Sequence, residues 1–386
     1  MPLGCRMKQL FTIVAVAVLV SFSARAQSVS PSDAIALEQQ GKLPEAGAAW
    51  RAVIRRNPND AAALASLGVV LSKQQKYQEA ASIYRKALSL NRLLPGVELN
   101  LGLAEFKQGH FRSAASALRL ALQADPSSAQ ARTLLGISSY GAQQYSEAIK
   151  YLEPAAQADP GNMELHQLLA QSCLQAKNYS CATEQFRLLL NQNSDSGPAH
   201  ILLGEALDGL GRTQEAISEF EAAAKISPNE PDVYFSLGYL YWKSQQYDEA
   251  RQEFDRELKF DPNHAQALAY LGDIEWKDNH PDDAVRLLQR AVKANKDLRI
   301  AYVDLGTIYL QQKSYKDAQV ALQKAIALEP NQPDAHYQLG RLYQATGKAA
   351  EAKKELQKVR ELHEKADSLV GKIPASPPSL NSTEPQ

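Results

Sequence analysis

Few residues of this 386-residue chain are spaced for catalysis. His363-Glu364-Lys365-Ala366-Asp367 begins like a zinc-hydrolase helix, but it lacks the second His, one turn on, that would close the metal site. Gly340 to Gly347-Lys348 resembles a phosphate-binding loop. The spacing is too long, however, and Ala349 stands where a Ser or Thr would hold magnesium. No Gly-x-Ser-x-Gly nucleophile elbow occurs. The seven histidines look scattered, so each reads as a surface or packing residue, and neither metal nor cofactor is expected. Catalysis is therefore not expected, which turns attention to the elements that carry these residues.

Those elements repeat. A small residue returns every 34 positions: Gly68, Gly102, Gly136, Ala170, Gly204, Gly238, Gly272, Gly306 and Gly340, each preceded by Leu. Twelve residues later comes Ala (Ala80 through Ala352), then a large apolar residue such as Tyr84, Phe186, Phe220 or Phe254, and many units close on Pro, as at Pro58, Pro126 and Pro262. Apolar residues at three and four spacing on either side of polar breaks such as Lys73 to Lys76 predict two helices joined by a turn in each unit. Gly238 and Ala250, about equally far from their turn, are expected to face each other where only small side chains fit. Pro262 stops the second helix because its ring has no N–H to continue it.

The pattern resembles the tetratricopeptide repeat, with its Leu-Gly, Ala-x3-Phe and closing Pro at a period of 34. The unit at 231–264 shows it fully, with Tyr234 in the Trp position. Residues 27–366 are assigned to tandem repeats: a degenerate unit at 27–60, known by Ala46, Trp50 and Pro58, then 34-residue units from Ala61. The resemblance implies an all-α, right-handed superhelical solenoid of helix-turn-helix units whose first helices line an inner, partner-binding surface. By the family's geometry that surface carries Leu99, Leu103, Phe106, Ile137, Tyr140 and Leu174 early in the chain, and Val303 and Leu310 late. Its later half holds Phe235, Tyr239, Trp242, Tyr270, Trp276 and Tyr337, with Glu205, Asp208, Asp232, Asp273, Asp304 and Asp334 interleaved. Trp242 and Trp276 occupy exposed-type positions there and suit a binding hot spot. Acids and apolar residues stand where chaperone-binding relatives carry Lys and Asn, so a terminal-carboxylate ligand is not expected.

Cys173 and Cys181 lie on the two helices of one unit near its turn. An oxidising compartment favours their pairing and the usual outward direction of position 181 opposes it, so both states stay open. A missing Pro and the polar run at 191–197 mark the expected soft joint of the array.

Residues 1–26 read as an export signal. Arg6 and Lys8 precede an apolar run from Leu10 to Val20 that is too short for an anchor, and Ala24-Arg25-Ala26 offers a cleavage site. The mature chain then begins at Gln27 in the periplasm or outside the cell, with no stable membrane span. Residues 367–386 hold the end of a capping helix and a Pro/Ser-rich tail expected to be disordered. The overall net charge of −1 gives no basic face for nucleic acid, while residues 163–386 carry 32 acids against 25 bases. The expected function is a non-catalytic exported scaffold that holds a protein or peptide segment, amphipathic and basic, in its groove. The alternative is a structural or assembly part of an envelope secretion or polysaccharide export complex.

Overall fold

Residues 29–370 are described by a computed structural model, with side chains through Lys365. The expected leader, its expected cleavage site and the C-terminal tail lie outside these residues. Among the described residues there are twenty helices and no strand.

Two compact units divide between Tyr151 and Leu152. The first holds α1 (Pro31–Gln39), α2 (Leu43–Arg56), α3 (Ala61–Lys73), α4 (Tyr77–Leu90), α5 (Val97–Lys107), α6 (Phe111–Ala124), α7 (Ala129–Gly141) and the start of α8 (Tyr145–Ala158). After α8 the second holds α9 (Met163–Gln175), α10 (Tyr179–Gln192), α11 (Gly197–Gly209), α12 (Thr213–Ile226), α13 (Val233–Lys243) and α14 (Tyr247–Phe260). It continues with α15 (Ala265–Lys277), α16 (Pro281–Ala294), α17 (Arg299–Gln311), α18 (Tyr315–Leu328), α19 (Pro333–Ala345) and α20 (Ala349–Val370). Pro154 lies inside the helix at the division. No described helix is long and apolar enough to cross a membrane.

Each first helix ends the same way. Seven residues after the repeat glycine, the backbone turns left-handed, at Gln75, Gly109, Gln143, Lys177, Gly211, Gln245, Asn279, Lys313 and Gly347. In the first of these turns the Lys76 N–H reaches the Leu71 carbonyl and the Gln75 N–H reaches that of Ser72, each at 2.9 Å, which satisfies carbonyls the helix leaves unpaired. Four residues later in the chain the second helix is under way, so every pair is antiparallel.

The repeat glycine meets the backbone expected at some units, as Gly272 does at the Ala284 carbonyl, 3.3 Å from an added Cβ, but its nearest neighbour is another residue. A Cβ on Gly238 would sit 2.7 Å from the Phe254 ring, and one on Gly272 would sit 2.7 Å from Leu288. The small residue thus makes room for the large side chain sixteen positions on, rather than for Ala250, and Phe254 is fully buried as a result.

The run at 191–197 carries side-chain hydrogen bonds of its own. Asn193 accepts the Asp195 N–H at 3.2 Å, and Ser196 caps α11 through the Ala199 N–H. His200 spans Glu219 (Nδ1 to Oε2, 2.6 Å) and the Ser194 carbonyl (Nε2, 3.1 Å). His336 repeats this bridge four units later, to Glu355 and the Pro330 carbonyl, and His166 meets Gln185 from the same repeat position. The histidines are therefore not scattered. Three share one position in the repeat, where they tie the first helix of a unit to its second.

Candidate functional site

Within the second unit, first helices touch first helices: α13 meets α15, α15 meets α17, and α17 meets α19. No comparable contacts join the second helices among the described residues. One face of the unit is therefore built from α13, α15, α17 and α19, and the residues singled out in the sequence fall on it.

Positions i, i+4 and i+7 of α13 share a stripe, which brings Phe235, Tyr239 and Trp242 into line. Tyr270 of α15 gathers them: its ring centroid lies 6.1 Å from Phe235, 5.6 Å from Tyr239 and 4.8 Å from Trp242, and it stacks on Phe254 at 5.6 Å. Burial, with Tyr239, Asp273 and Asp304 nearby, pushes the Tyr270 phenol up to about 12. The Trp242 Nε1–H donates to Asp273 at 2.6 Å, and Lys277, which pairs with that carboxylate, sits 5.6 Å from the indole centroid.

Exposed-type positions do not make exposed tryptophans. Trp242 is half-buried against the Phe254 core, and Trp276 is half-buried against the next core, around Leu268 and Leu288. Both occupy the seam where one unit packs on the next, so part of each indole supports the array. Trp276 stands apart from the Tyr270 cluster. Val303, Leu310 and Leu174 are buried outright, while Tyr337 on α19 is 47% exposed.

The acids are less free than their number suggests. Asp208 pairs with Lys243 at 2.6 Å, Asp273 with Lys277, and Asp334 with Arg299 at 2.6 Å. Asp334 also accepts the Ala335 N–H. Asp304 differs, because no hydrogen bond or ion pair reaches its carboxylate among the described residues. Burial first, then the Asp273 and Asp334 charges, against the opposing pull of Lys277 and Arg299, push its carboxyl up to about 7. Asp304, Asp273, Trp242 and Tyr270, with Gln266, Ala269, Leu298 and Ile300, line a hollow of about 170 Å³ between α13, α15 and α17.

At the opposite end of α13, Asp232, Glu257 and His264 bring three potential ligand atoms within 4.8 Å of one another, a grouping the sequence did not suggest. Its hydrogen bonds argue against a metal. His264 caps α15 by accepting the Ala267 N–H on Nδ1 at 3.1 Å, which leaves the ring proton on Nε2, facing Asp232 at 3.2 Å. A metal ligand needs a bare nitrogen, and neither ring nitrogen is bare. Glu257 is buried, its carboxyl held above the usual range by that burial, and it accepts the Phe235 N–H at 3.1 Å. The trio fastens the start of α13 to α14 and α15.

In the second unit, the partner of Cys173 is Cys181, joined to it in a disulfide with Cα atoms 5.8 Å apart. Cys173 is buried and Cys181 half-buried, so position 181 reaches inward enough to bridge the two helices.

Solved structures similar to this chain include MamA, at 26% identity over 43% of this chain and 97% of its own, with a TM-score of 0.38. A structure of YrrB, described as a TPR protein with an unusual peptide-binding site, aligns at 21% identity over 50% of this chain and 99% of its own, with a TM-score of 0.39. The Cut9–Hcn1 complex covers 86% of this chain and 79% of its own at 15% identity, with a TM-score of 0.49. No curated protein matches the sequence significantly. One tetratricopeptide repeat model matches residues 33–97, 99–163, 201–265, 235–298 and 271–336, and another matches 139–207 and 309–373. Those matches cover most of the chain, and it belongs to the tetratricopeptide repeat family.

Proposed function

We propose that the chain is a non-catalytic scaffold that holds a segment of a partner protein against the first helices of its second unit. The observation that carries this reading is the hollow between α13, α15 and α17, where half-buried Trp242 and Tyr270 stand beside the carboxylates of Asp273 and Asp304. Large aromatic area next to acidic groups suits an amphipathic segment with basic residues. The aromatics supply most of the affinity, and the charges speed encounter and select partners.

Photo-crosslinking tests it. A benzoylphenylalanine at exposed Gln266, on the rim of the hollow, is expected to give a discrete adduct in cells, with a yield that falls as salt rises. The same probe at Val320 of α18, a second-helix site that is 62% exposed, serves as the comparison. Adducts from neither site would sink the reading, and adducts from Val320 alone would sink it in favour of the outer surface.

The protein is also proposed to act after export, with Ala26 as the last residue of its leader. The Cys173–Cys181 disulfide supports this, since such bonds persist in oxidising compartments. N-terminal sequencing of the chain from its own cells is expected to begin at Gln27. Retention of Met1 would contradict it.

A further inference from the structure

The geometry points to a specific occupant for this hollow: one arginine side chain of the partner segment, stacked on Trp242 and forked onto the Asp304 carboxylate. This rests on the binding reading above and sharpens it to a residue.

Size comes first. At about 170 Å³ the hollow is comparable to cavities of about 150 Å³ that take a benzene-sized group, so it admits one side chain and not a helix. Its walls then select the kind of side chain. Trp242, Tyr270, Leu298, Ile300 and Ala269 present apolar and aromatic surface, which suits a flat group with an aliphatic stem. Charge decides the rest. Asp273 is already engaged by the Trp242 N–H and by Lys277, whereas Asp304 has no donor within reach among the described residues. A half-buried carboxylate without a donor is costly when ionised, and a ligand that supplies paired N–H groups relieves that cost. Guanidinium fits better than ammonium. It is planar, weakly hydrated, stacks on indole and matches a carboxylate with two parallel hydrogen bonds.

The charged groups facing Asp304 are Asp273 and Lys277 on α15, Arg299 on its own helix and Asp334 on α19. Lys277 is committed to Asp273, and Arg299 to Asp334 and Glu329. Neither fills the hollow. Because the free carboxyl titrates near neutrality, an incoming cation must displace its proton at low pH, and binding is expected to strengthen from pH 6 to pH 8.

The test uses the full chain and small probes. Its three tryptophans give three indole N–H resonances, and Trp242 is identified by the one lost in W242F. Titration with Nα-acetyl-arginine amide at pH 8 is expected to shift that resonance saturably. The lysine amide should bind several-fold more weakly, and the neutral norleucine amide should not bind. D304N should weaken the arginine probe at least tenfold while the other two indole signals stay in place, and D317N, at an exposed site on the second helix α18, should leave it unchanged. A flat titration, equal shifts from norleucine, an unaltered D304N, or binding independent of pH would each overturn the assignment. The Gln266 crosslink separates the two ideas. If it survives in D304N, the groove binds a partner without an arginine in the hollow. Arginine binding with no crosslink leaves the hollow as a site and removes the scaffold reading.

Discussion

Asp304 shows how position alters a residue's chemistry. Its folded carboxyl titrates near 7 against an ordinary 3.8, so between those values the folded chain keeps a proton that the unfolded chain has lost. Stability is therefore lost as pH rises through that window and levels off above it. D304N removes the difference. Urea midpoints of the two proteins are expected to agree near pH 4 and to diverge toward pH 8, with the variant more stable. A gap that is constant with pH would show the carboxyl to be ordinary. The sequence placed Asp304 among several like acids on one face, and that much was legible from the repeat register. That Arg299 neutralises Asp334 and leaves Asp304 bare was not, because that pair joins residues 35 apart on different helices, whereas Lys277 and Asp273 lie one turn apart on α15.

At the scale of the element, the unit is a glycine on one helix receiving a large side chain from the next. Gly238→Ala would drive a methyl group into Phe254, a ring fixed by its stack on Tyr270 and its contact with Phe235. The helix-propensity gain of up to about 1 kcal/mol is smaller than the overpacking cost of about 1–3 kcal/mol, so a net loss near 1 kcal/mol is expected in denaturant melts. An alanine variant as stable as the parent would mean that Phe254 has room to move. The turns were also readable in part. Gly109, Gly211 and Gly347 recur seven residues after the repeat glycine, a signal for a left-handed cap that the 34-residue pattern itself contained. Gln and Lys at the same place in other units hide it, since neither residue advertises that conformation.

For the whole molecule, a repeat array is stabilised by neighbours, so its ends are expected to open first. Only Ala34 is buried in α1, whereas α3 buries six residues. Hydrogen–deuterium exchange should be fastest in α1 and slower in the helices of the inner repeats. Slowest exchange in α1, or uniform exchange along the chain, would contradict a nearest-neighbour account. The division between compact units at Tyr151 and Leu152 falls within a helix, not at the segment that lacks a closing proline. Proline is one of several ways to end a unit. At 191–197 Asn193, Ser196 and His200 do the same work with side-chain hydrogen bonds.

The sequence alone determined the family, the pairing of two helices in each 34-residue unit, and the face on which the aromatics and acids gather. All of these follow from a period, and a period is local information repeated. Tertiary structure decided how deep each side chain sits and which charge meets which. Trp242 and Trp276 share one repeat position, yet one lies against Tyr270 of the following unit and the other against the core that holds Leu268 and Leu305, because the next unit differs and carries Asp304 where Tyr270 stands in the one before. Asp304 stands without a donor for the same reason. Register assigns a side chain to a face, but burial and pairing depend on what the adjacent helix brings to it, which the repeat does not hold constant.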